Sequence, residues 1–351
     1  MPSKSTIKNI TFRFIGFSVA SLIGLATGEI LVRKLSLSKT WTSYVDAQNL
    51  LDGINSIENI GFQRKAEYTF HAGRKIISRT NNLGFRDKTI VKKNRNKKRI
   101  GFTGDSVTEG FGVESENRFS EQTIDILNQD QNKFEGVNMG VSASSTVDQL
   151  VYFMKYADTI SVDFLFLQIC FNDFGRNSIL IDRYRQANWD IDAPAQSVNT
   201  ADNNDHSFFG WLQNNSAFYL FLAENYNSYK LKNGQSNSIL KNALAIEKEK
   251  IDITAKLLKE LNKKCEEKGI LFATSYIPLE VEVKIKDDER GFAIDNKIKN
   301  ICKENGIEFI ELTEFLRHNS DRSLYLDDCH LSPNGHKVVA DNLASFLKVH
   351  I

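Results

Sequence analysis

Short apolar runs alternate with helix-like spacings of apolar residues from about residue 99 to the end of the chain. The clearest run, Phe164 to Ile169, is typical of a strand that is buried on both faces. Runs of this kind predict strands at 100–103, 137–139, 164–169, 270–276 and 307–312. Helical spacing predicts helices at about 120–127, 147–154, 239–264 and 297–304. The pair Ser332–Pro333, a capping serine before a proline, predicts the start of a last helix.

Strands that alternate with helices predict an α/β fold, in which helices cover both faces of a mostly parallel sheet. In such a three-layer α/β/α sandwich, a functional site is expected at the carboxyl ends of the strands. The stretch from about 174 to 238 is rich in Asn and aromatic residues, and we interpret it as an irregular insertion. Its aromatic side chains line a substrate groove, form a lid or simply pack beneath a loop.

An apolar stretch from Phe14 to Val32 is just long enough to cross a membrane, because a spanning helix needs about 20 apolar residues. Three basic residues flank it on each side, so their distribution does not orient a membrane helix. The stretch is interpreted as an uncleaved anchor, as a signal peptide cleaved near Ala26-Thr27-Gly28, or as an amphipathic helix packed on the domain. We favour the anchor, because the apolar run continues past that cleavage site to Val32.

The composition and charge of the chain exclude some classes of protein and of site. Hydrophobic residues make up 41% of the chain and charged residues 25%, which argues against global disorder. A formal net charge of +1 argues against a surface built to bind nucleic acid. None of the four cysteines lies in a Cys-x-x-Cys pair, so the sequence has no zinc-ribbon or thioredoxin-type motif.

Candidate chemistry follows the predicted strands. Gly104-Asp105-Ser106 comes directly after the first strand, where a tight turn presents a hydroxyl beside a backbone N–H. Gly140 follows the second strand, and its missing side chain lets an N–H face a ligand. Asn172-Asp173 follow the third, and a fixed amide there can stabilise developing negative charge. Asp327 and His330 precede the last helix.

The spacing of Asp327 and His330 has a physical reason. A serine hydroxyl is a poor nucleophile until a base takes its proton, and histidine suits that task near neutral pH. A carboxylate three residues earlier can fold back to one ring nitrogen while the other ring nitrogen faces the serine.

These motifs resemble the SGNH/GDSL hydrolase family, which is named for its Ser, Gly, Asn and His blocks. The resemblance covers about residues 98 to 350, with the motifs in the family's order. By resemblance, Ser106 is the nucleophile, and Asp327 and His330 complete the catalytic triad. The resemblance also assigns the oxyanion hole to the Ser106 N–H, the Gly140 N–H and the Asn172 side chain.

Two further positions bear on the resemblance. The segment Asn82-Leu83-Gly84-Phe85-Arg86 resembles a stretch that precedes the domain in bacterial, envelope-associated members. The family usually has glycine two positions before its asparagine, where this chain has Cys170. This departure affects substrate placement more than activity.

Competing motifs are weaker. Ser142 lies in a near match to the Gly-x-Ser-x-Gly elbow, but the closing glycine is missing. No His-Glu-x-x-His motif, dinucleotide-binding loop or Walker-type loop is present, so we expect no metal and no cofactor.

The sequence thus predicts an anchor or signal peptide at 1–34, a stem at 35–97 and an SGNH/GDSL hydrolase domain at 98–351. We expect the domain to have a mostly parallel, five-stranded, flavodoxin-like sheet with the insertion at about 174–238. The expected activity is hydrolysis of a carboxylic ester through an acyl-serine. The resemblance and the anchor suggest O-acetyl groups of an envelope or exported polysaccharide as the substrate.

Two alternatives use the same sequence features: an O-acyltransferase with the same triad, and a catalytically silent glycan-binding protein. The expected partners are an acylated small molecule or glycan and, through the N-terminal helix, the membrane. The resemblance alone places the catalytic domain outside the cytoplasm.

Overall fold

The structure, a computed structural model, describes residues 4–35, 37–38, 67–71, 75–186, 207–232, 246, 248–285 and 293–351. Its strands are β1 (Glu67–His71), β2 (Lys75–Arg79), β3 (Lys98–Thr103), β4 (Phe134–Asn138), β5 (Phe164–Ile169), β6 (Leu271–Tyr276) and β7 (Glu308–Phe309). Its helices are α1 (Lys4–Lys34), α2 (Ser106–Glu109), α3 (Phe119–Leu127), α4 (Thr146–Ile160), α5 (Phe171–Gln186), α6 (Phe208–Asn215), α7 (Ala217–Lys232), α8 (Lys248–Glu267), α9 (Glu280–Lys284), α10 (Ala293–Glu304), α11 (Leu312–His318) and α12 (Pro333–His350). A 3₁₀ turn spans Ser115–Asn117.

Five parallel strands form the central sheet, in the order β4-β3-β5-β6-β7. Numbered along the chain, this order is 2-1-3-4-5, which is that of flavodoxin-like sheets. The predicted fold class is therefore confirmed. β1 and β2 form a separate antiparallel pair.

Both faces of the sheet are covered by helices. Along β5, Leu165 and Leu167 join one hydrophobic cluster, and Phe164 and Phe166 join the other. α4, α8 and α10 contribute to the first cluster, and α3, α11 and α12 to the second. Alternate side chains of a strand point to opposite faces, so a strand between two helical layers is apolar throughout. This two-sided burial explains the unbroken apolar run seen in the sequence.

Two expectations about individual elements are corrected. The strand predicted at 307–312 is only two residues long, because β7 pairs at the sheet edge with β6 alone and α11 begins at Leu312. The stretch predicted to be irregular contains α5, α6 and α7 in its described part. Residues 187–206 and 233–245 lie outside the described residues, and so does the predicted start of the 239–264 helix.

The asparagine residues of α5 explain why its sequence is typical of a loop. Asn177 is completely buried; its amide donates to Thr254 Oγ1 at 2.9 Å and its carbonyl oxygen accepts from Val147 N at 3.0 Å. A polar side chain that is fully bonded between helices costs little to bury. Composition alone does not reveal such partners.

The segment Asn81–Asp87, assigned to the predicted stem, packs into the α/β core. The Asn81 side chain accepts from Leu83 N and Phe85 N and closes a turn. The Phe85 ring is 0% exposed and lies edge-on to Tyr156, with 5.8 Å between ring centroids. Asp87 accepts from Asn138 N at the end of β4, at 2.8 Å. This segment is thus part of the structure that supports the sheet.

Within α1, the stretch Phe12–Lys34 is long and apolar enough to cross a membrane. Most of its side chains are exposed, unlike those of a helix packed in a core. This helix is a signal sequence or a membrane anchor.

We predict that Phe85→Ala lowers the free energy of unfolding by about 3–5 kcal/mol, because it leaves a cavity in the core. The matched control is Phe315→Ala, at a helical position that is 43% exposed, which should cost far less. Urea unfolding of both variants measures the difference. Equal stability of the two variants would show that the Asn81–Asp87 segment is not part of the core.

Candidate active site

The first part of the site is the turn between β3 and α2. Asp105 caps α2, and its Oδ1 accepts from Val107 N at 2.9 Å. A Cβ on Gly104 would lie 2.2 Å from Thr108 Oγ1 and 2.5 Å from Gln168 Oε1, so only glycine fits. Ser106 is the first residue of α2, and its N–H therefore has no partner within the helix.

The second part is the loop before α12, which carries His330. Its two ends are joined by a bridge between Tyr325 and Leu331 and by a hydrogen bond from Leu326 N to His330 O at 2.8 Å. The Tyr325 hydroxyl donates to Pro278 O at 2.7 Å, which ties the loop to the end of β6. Ser332 then caps α12 through Gly335 N, as predicted. The loop is fixed on both sides of the imidazole.

The structure brings Ser106, His330 and Asp327 together. Ser106 Oγ lies 2.8 Å from His330 Nε2, and His330 Nδ1 lies 2.6 Å from Asp327 Oδ2. Asp327 Oδ1 also accepts from the backbone N–H groups of Cys329 and His330. With its Nδ1–H donating to Asp327, the imidazole offers the Nε2 lone pair to the Ser106 hydroxyl. This is the arrangement that proton transfer from the serine requires.

Two opposing effects act on the His330 imidazole. Burial lowers its pKa, but the charge of Asp327 and the hydrogen bond to it raise the pKa by more, so the net shift is upward. The Phe111 ring also covers the imidazole, with 4.3 Å between ring centroids. The base is thus shielded from solvent on one face.

Asn172 lies in the first turn of α5, beside the nucleophile turn. Its Nδ2 donates to Asp105 Oδ2 at 3.4 Å, a long hydrogen bond, and its Oδ1 is buried without a partner among the described residues. The amide is therefore weakly held at its donor end. A negatively charged oxygen at Ser106 could compete for that donor.

Gly140 lies against α2, where a Cβ would come within 2.2 Å of Glu109 N. The residue must be glycine for the two backbones to approach this closely. Its own N–H donates to Asn138 Oδ1 at 2.9 Å. The structure thus places Gly140 beside the helix that begins at Ser106, with its N–H already hydrogen-bonded.

The turn after Gly140 contains a feature that no sequence signal indicated. Ala143 has a φ of 61°, in the left-handed region that residues other than glycine rarely adopt. The turn is held by hydrogen bonds from Ser144 N to Val141 O and from Ser144 Oγ to Gly104 O. Strain of this kind concentrates at functional sites.

Cys170, the position that departs from the family pattern, fits without such strain. Positive φ at a non-glycine residue occurs only at Ala143 and Ser161 within the described ranges. The Cys170 N–H donates to Asp173 Oδ2 at 2.8 Å, and the thiol is buried. The backbone at this position has no need of glycine.

Two carboxyl groups are buried beneath the site. Burial, followed by the negative charge of Asp105, raises the pKa of Asp173 to about 8. Burial also raises the pKa of Asp105. Burial thus favours the protonated form of both carboxyl groups, which opposes a build-up of negative charge beside Asn172.

Arg86 belongs to the upstream motif at 82–86, and the structure gives it a positioning role that the motif alone does not predict. Its guanidinium donates to the carbonyl oxygens of Glu109, Gly110 and Val113. These residues frame the loop that places Phe111 on His330. Arg86 thus connects the upstream segment to the loop beside His330.

One group of side chains has the spacing of metal ligands. Over the residues that the structure describes, only Asp327, Cys329 and His330 place three such ligand atoms within 4.8 Å of one another. The Asp327 carboxylate and the His330 Nδ1 are already hydrogen-bonded to each other. We assign these atoms to the triad.

Comparison with known proteins gives one family. Residues 102–338 match the model of the GDSL-like lipase/acylhydrolase family. No curated protein matches the chain.

Solved structures of low similarity include a lipolytic protein of the G-D-S-L family from Veillonella parvula, with 12% identity and a TM-score of 0.41. The match covers 71% of this chain and 98% of that one. A mutant acetylxylan esterase from Geobacillus stearothermophilus has 14% identity and a TM-score of 0.43, with 72% and 95% covered. The family assignment rests on the match over 102–338.

We predict that kcat/KM for p-nitrophenyl acetate falls as the pH drops through a value above 6.5, the ordinary pKa of histidine. The reason is that His330 must be neutral to accept a proton, and Asp327 raises its pKa. In Asp327→Asn the fall of kcat/KM on the acidic side of the pH profile should move to lower pH. Its kcat should also fall about 10³- to 10⁴-fold.

The control is Asp328→Asn, which removes the neighbouring carboxylate and keeps the hydrogen bond between Asp327 and His330. This variant should keep the wild-type pH dependence of kcat/KM and a near-normal kcat. An Asp327→Asn profile with the wild-type pH dependence would show that Asp327 does not set the pKa of the base.

Proposed function

The chain belongs to the GDSL-like lipase/acylhydrolase family and is a carboxylic ester hydrolase of that family, and we propose that it acts through an acyl-enzyme on Ser106. The observation that carries this proposal is the alignment of Ser106, His330 and Asp327 at 2.8 Å and 2.6 Å. The same alignment disfavours the catalytically silent binding protein, because binding alone does not need it.

In the first half-reaction, Ser106 Oγ attacks the ester carbonyl while His330 Nε2 takes the hydroxyl proton. Asp327 orients the imidazole and stabilises its positive charge. As the alcohol leaves, His330 returns the proton to its oxygen. Water then attacks the acyl-serine by the same route, which releases the carboxylic acid and restores Ser106.

The negative oxygen of each tetrahedral intermediate needs hydrogen-bond donors, each worth about 10²- to 10³-fold in kcat. We assign the Ser106 N–H and the Asn172 Nδ2 to this role. The Gly140 N–H can take part only if it exchanges Asn138 Oδ1 for the substrate oxygen. The long bond between Asn172 and Asp105 makes Asn172 the more readily available donor.

The proposed substrate is an O-acetyl group on an envelope or exported polysaccharide. Ser106 is only 9% exposed, and Phe111 narrows the approach to His330, which suits a small acyl group. We place the catalytic domain outside the cytoplasm, anchored by α1 and facing such glycans. The apolar length of Phe12–Lys34 supports the anchoring by α1, and the family resemblance alone supports the outward side.

We predict that a fluorophosphonate probe labels the wild-type chain and not Ser106→Ala, because only an activated serine reacts at an appreciable rate. Ser142→Ala is the matched control, since Ser142 lies in the rival motif near the same sheet edge. It should label like the wild type. Equal labelling of Ser106→Ala and wild type would exclude Ser106 as the nucleophile.

We further predict that the purified chain releases acetic acid from an O-acetylated glycan, and that Ser106→Ala does not. Adding a free sugar acceptor should leave the yield of acetic acid unchanged. Acetyl groups recovered on the acceptor, with a matching loss of acetic acid, would instead identify the chain as an acyltransferase.

A further inference from the structure

Glu29 is the one charged residue in the apolar stretch from Phe14 to Val32, and the structure gives it a partner distant in sequence. Its carboxylate accepts from Ser216 Oγ at 2.8 Å and from the N–H groups of Ala217 and Phe218 at 3.0 Å. These groups form the start of α7, whose first N–H groups have no partner within the helix. Glu29 thus caps α7, where the helix dipole also favours a negative charge.

Other contacts extend this docking along α1. The Arg33 guanidinium donates to Asn215 O, at the end of α6, at 2.7 Å. Val32 is buried, and Gly28 lies so close to the Phe218 ring that a Cβ would be 3.0 Å from it. Small residues allow this close approach between helices in membranes. Ser38 Oγ donates to Glu224 Oε1 at 2.7 Å, beyond the end of α1.

The docking site has a defined position along the candidate span. The span ends at Lys34, so Glu29 lies five residues, or roughly 8 Å at 1.5 Å per residue, from its carboxyl end. That depth corresponds to the edge of the hydrocarbon core, next to the lipid headgroups. α6 and α7 therefore meet α1 at the level of the membrane interface.

The two docked helices expose large apolar side chains. On α6, Phe208 is 69% and Trp211 is 57% exposed; their rings stack, with centroids 6.3 Å apart, and Phe209 beside them is also exposed. On α7 the exposed residues Leu222, Tyr226 and Tyr229 are spaced four and three residues apart, which places them on one face. Trp and Tyr are enriched where a protein meets the headgroup region of a bilayer.

We propose that α6 and α7 lie in the membrane interface against α1, with their exposed aromatic side chains inserted among the lipids. The partner of this surface is the bilayer that α1 crosses, because the surface is continuous with the exposed apolar surface of α1. In this arrangement Glu29 and Arg33 are docking residues that hold the insertion helices to the anchor. The anchor is accordingly kept in the mature chain.

The test uses the full chain reconstituted in phosphatidylcholine vesicles. Trp41→Phe and Trp189→Phe leave Trp211 as the only tryptophan of the chain, so it alone gives the tryptophan fluorescence. Lipids brominated near the carbonyl end of the acyl chain should quench Trp211 about twofold or more, as expected for a side chain at the interface. Lipids brominated at the methyl end should quench it less.

A matched control carries the additional changes Trp211→Phe and Phe315→Trp, which move the fluorophore to an exposed position on α11. Its emission should not respond to either brominated lipid. Trp211 quenching no greater than in this control would overturn the proposal. Quenching by an acetylated oligosaccharide in place of lipid would do so as well, since the surface would then be a substrate site.

A second variant tests the docking itself. Glu29→Ala, in the background that keeps Trp211, removes the cap of α7 and should reduce the quenching towards the control value. Full quenching in this variant would refute the role of Glu29. The thermal unfolding of each variant shows that the chain is folded, so the result does not depend on esterase activity.

Discussion

The hydrogen bond between Ser106 and His330 joins two segments that are 224 residues apart in the chain. Local structure does not bring residues this far apart to a distance of 2.8 Å, so each segment must be held in place by its own contacts. The turn of Ser106 is held by the Asp105 cap and by the space that Gly104 leaves for Thr108 and Gln168. The loop of His330 is held by its backbone bridge, by Tyr325 and by the cap of α12.

Contacts from several other segments connect these two segments to the rest of the molecule. Arg86 reaches from the upstream segment to the loop that carries Phe111, and Phe111 covers His330. Gly140 allows the end of β4 to touch α2, and Asn138 orders the same region through Thr108 O. The site residues are therefore held by contacts from several segments, and groups placed this way need little reorganisation during a reaction.

Much of the fold could be predicted from the sequence, for a physical reason. The strands lie between two helical layers, so their side chains are apolar in unbroken runs such as Phe164 to Ile169, and parallel strands carry their loops to one edge. Those two facts already bring Ser106 and Asn172 to the same edge, and the resemblance adds His330 from the loop before the last helix. The Asp327–His330 spacing is local, so its geometry could be predicted without knowledge of the fold.

The remaining features depend on contacts that no local pattern records. The bond between Gly140 N–H and Asn138, the left-handed Ala143 and the carbonyl contacts of Arg86 arise only when distant segments pack together. The polar residues of α5 suggested a loop because their partners lie on other helices, as with Asn177 and Thr254. For the same reason, Glu29 appears in the sequence as an isolated charge in an apolar helix.

The order of the site residues along the chain has a consequence for biosynthesis. Ser106 leaves the ribosome early, but His330 follows 224 residues later and is held by the cap of α12. At synthesis rates of about 5–20 residues per second, tens of seconds pass between the two. During that interval the nascent polypeptide carries Ser106 without its hydrogen-bond partner His330. The ester-cleaving machinery is therefore assembled only after the segment that carries His330 has been synthesised, when α1 has long since emerged.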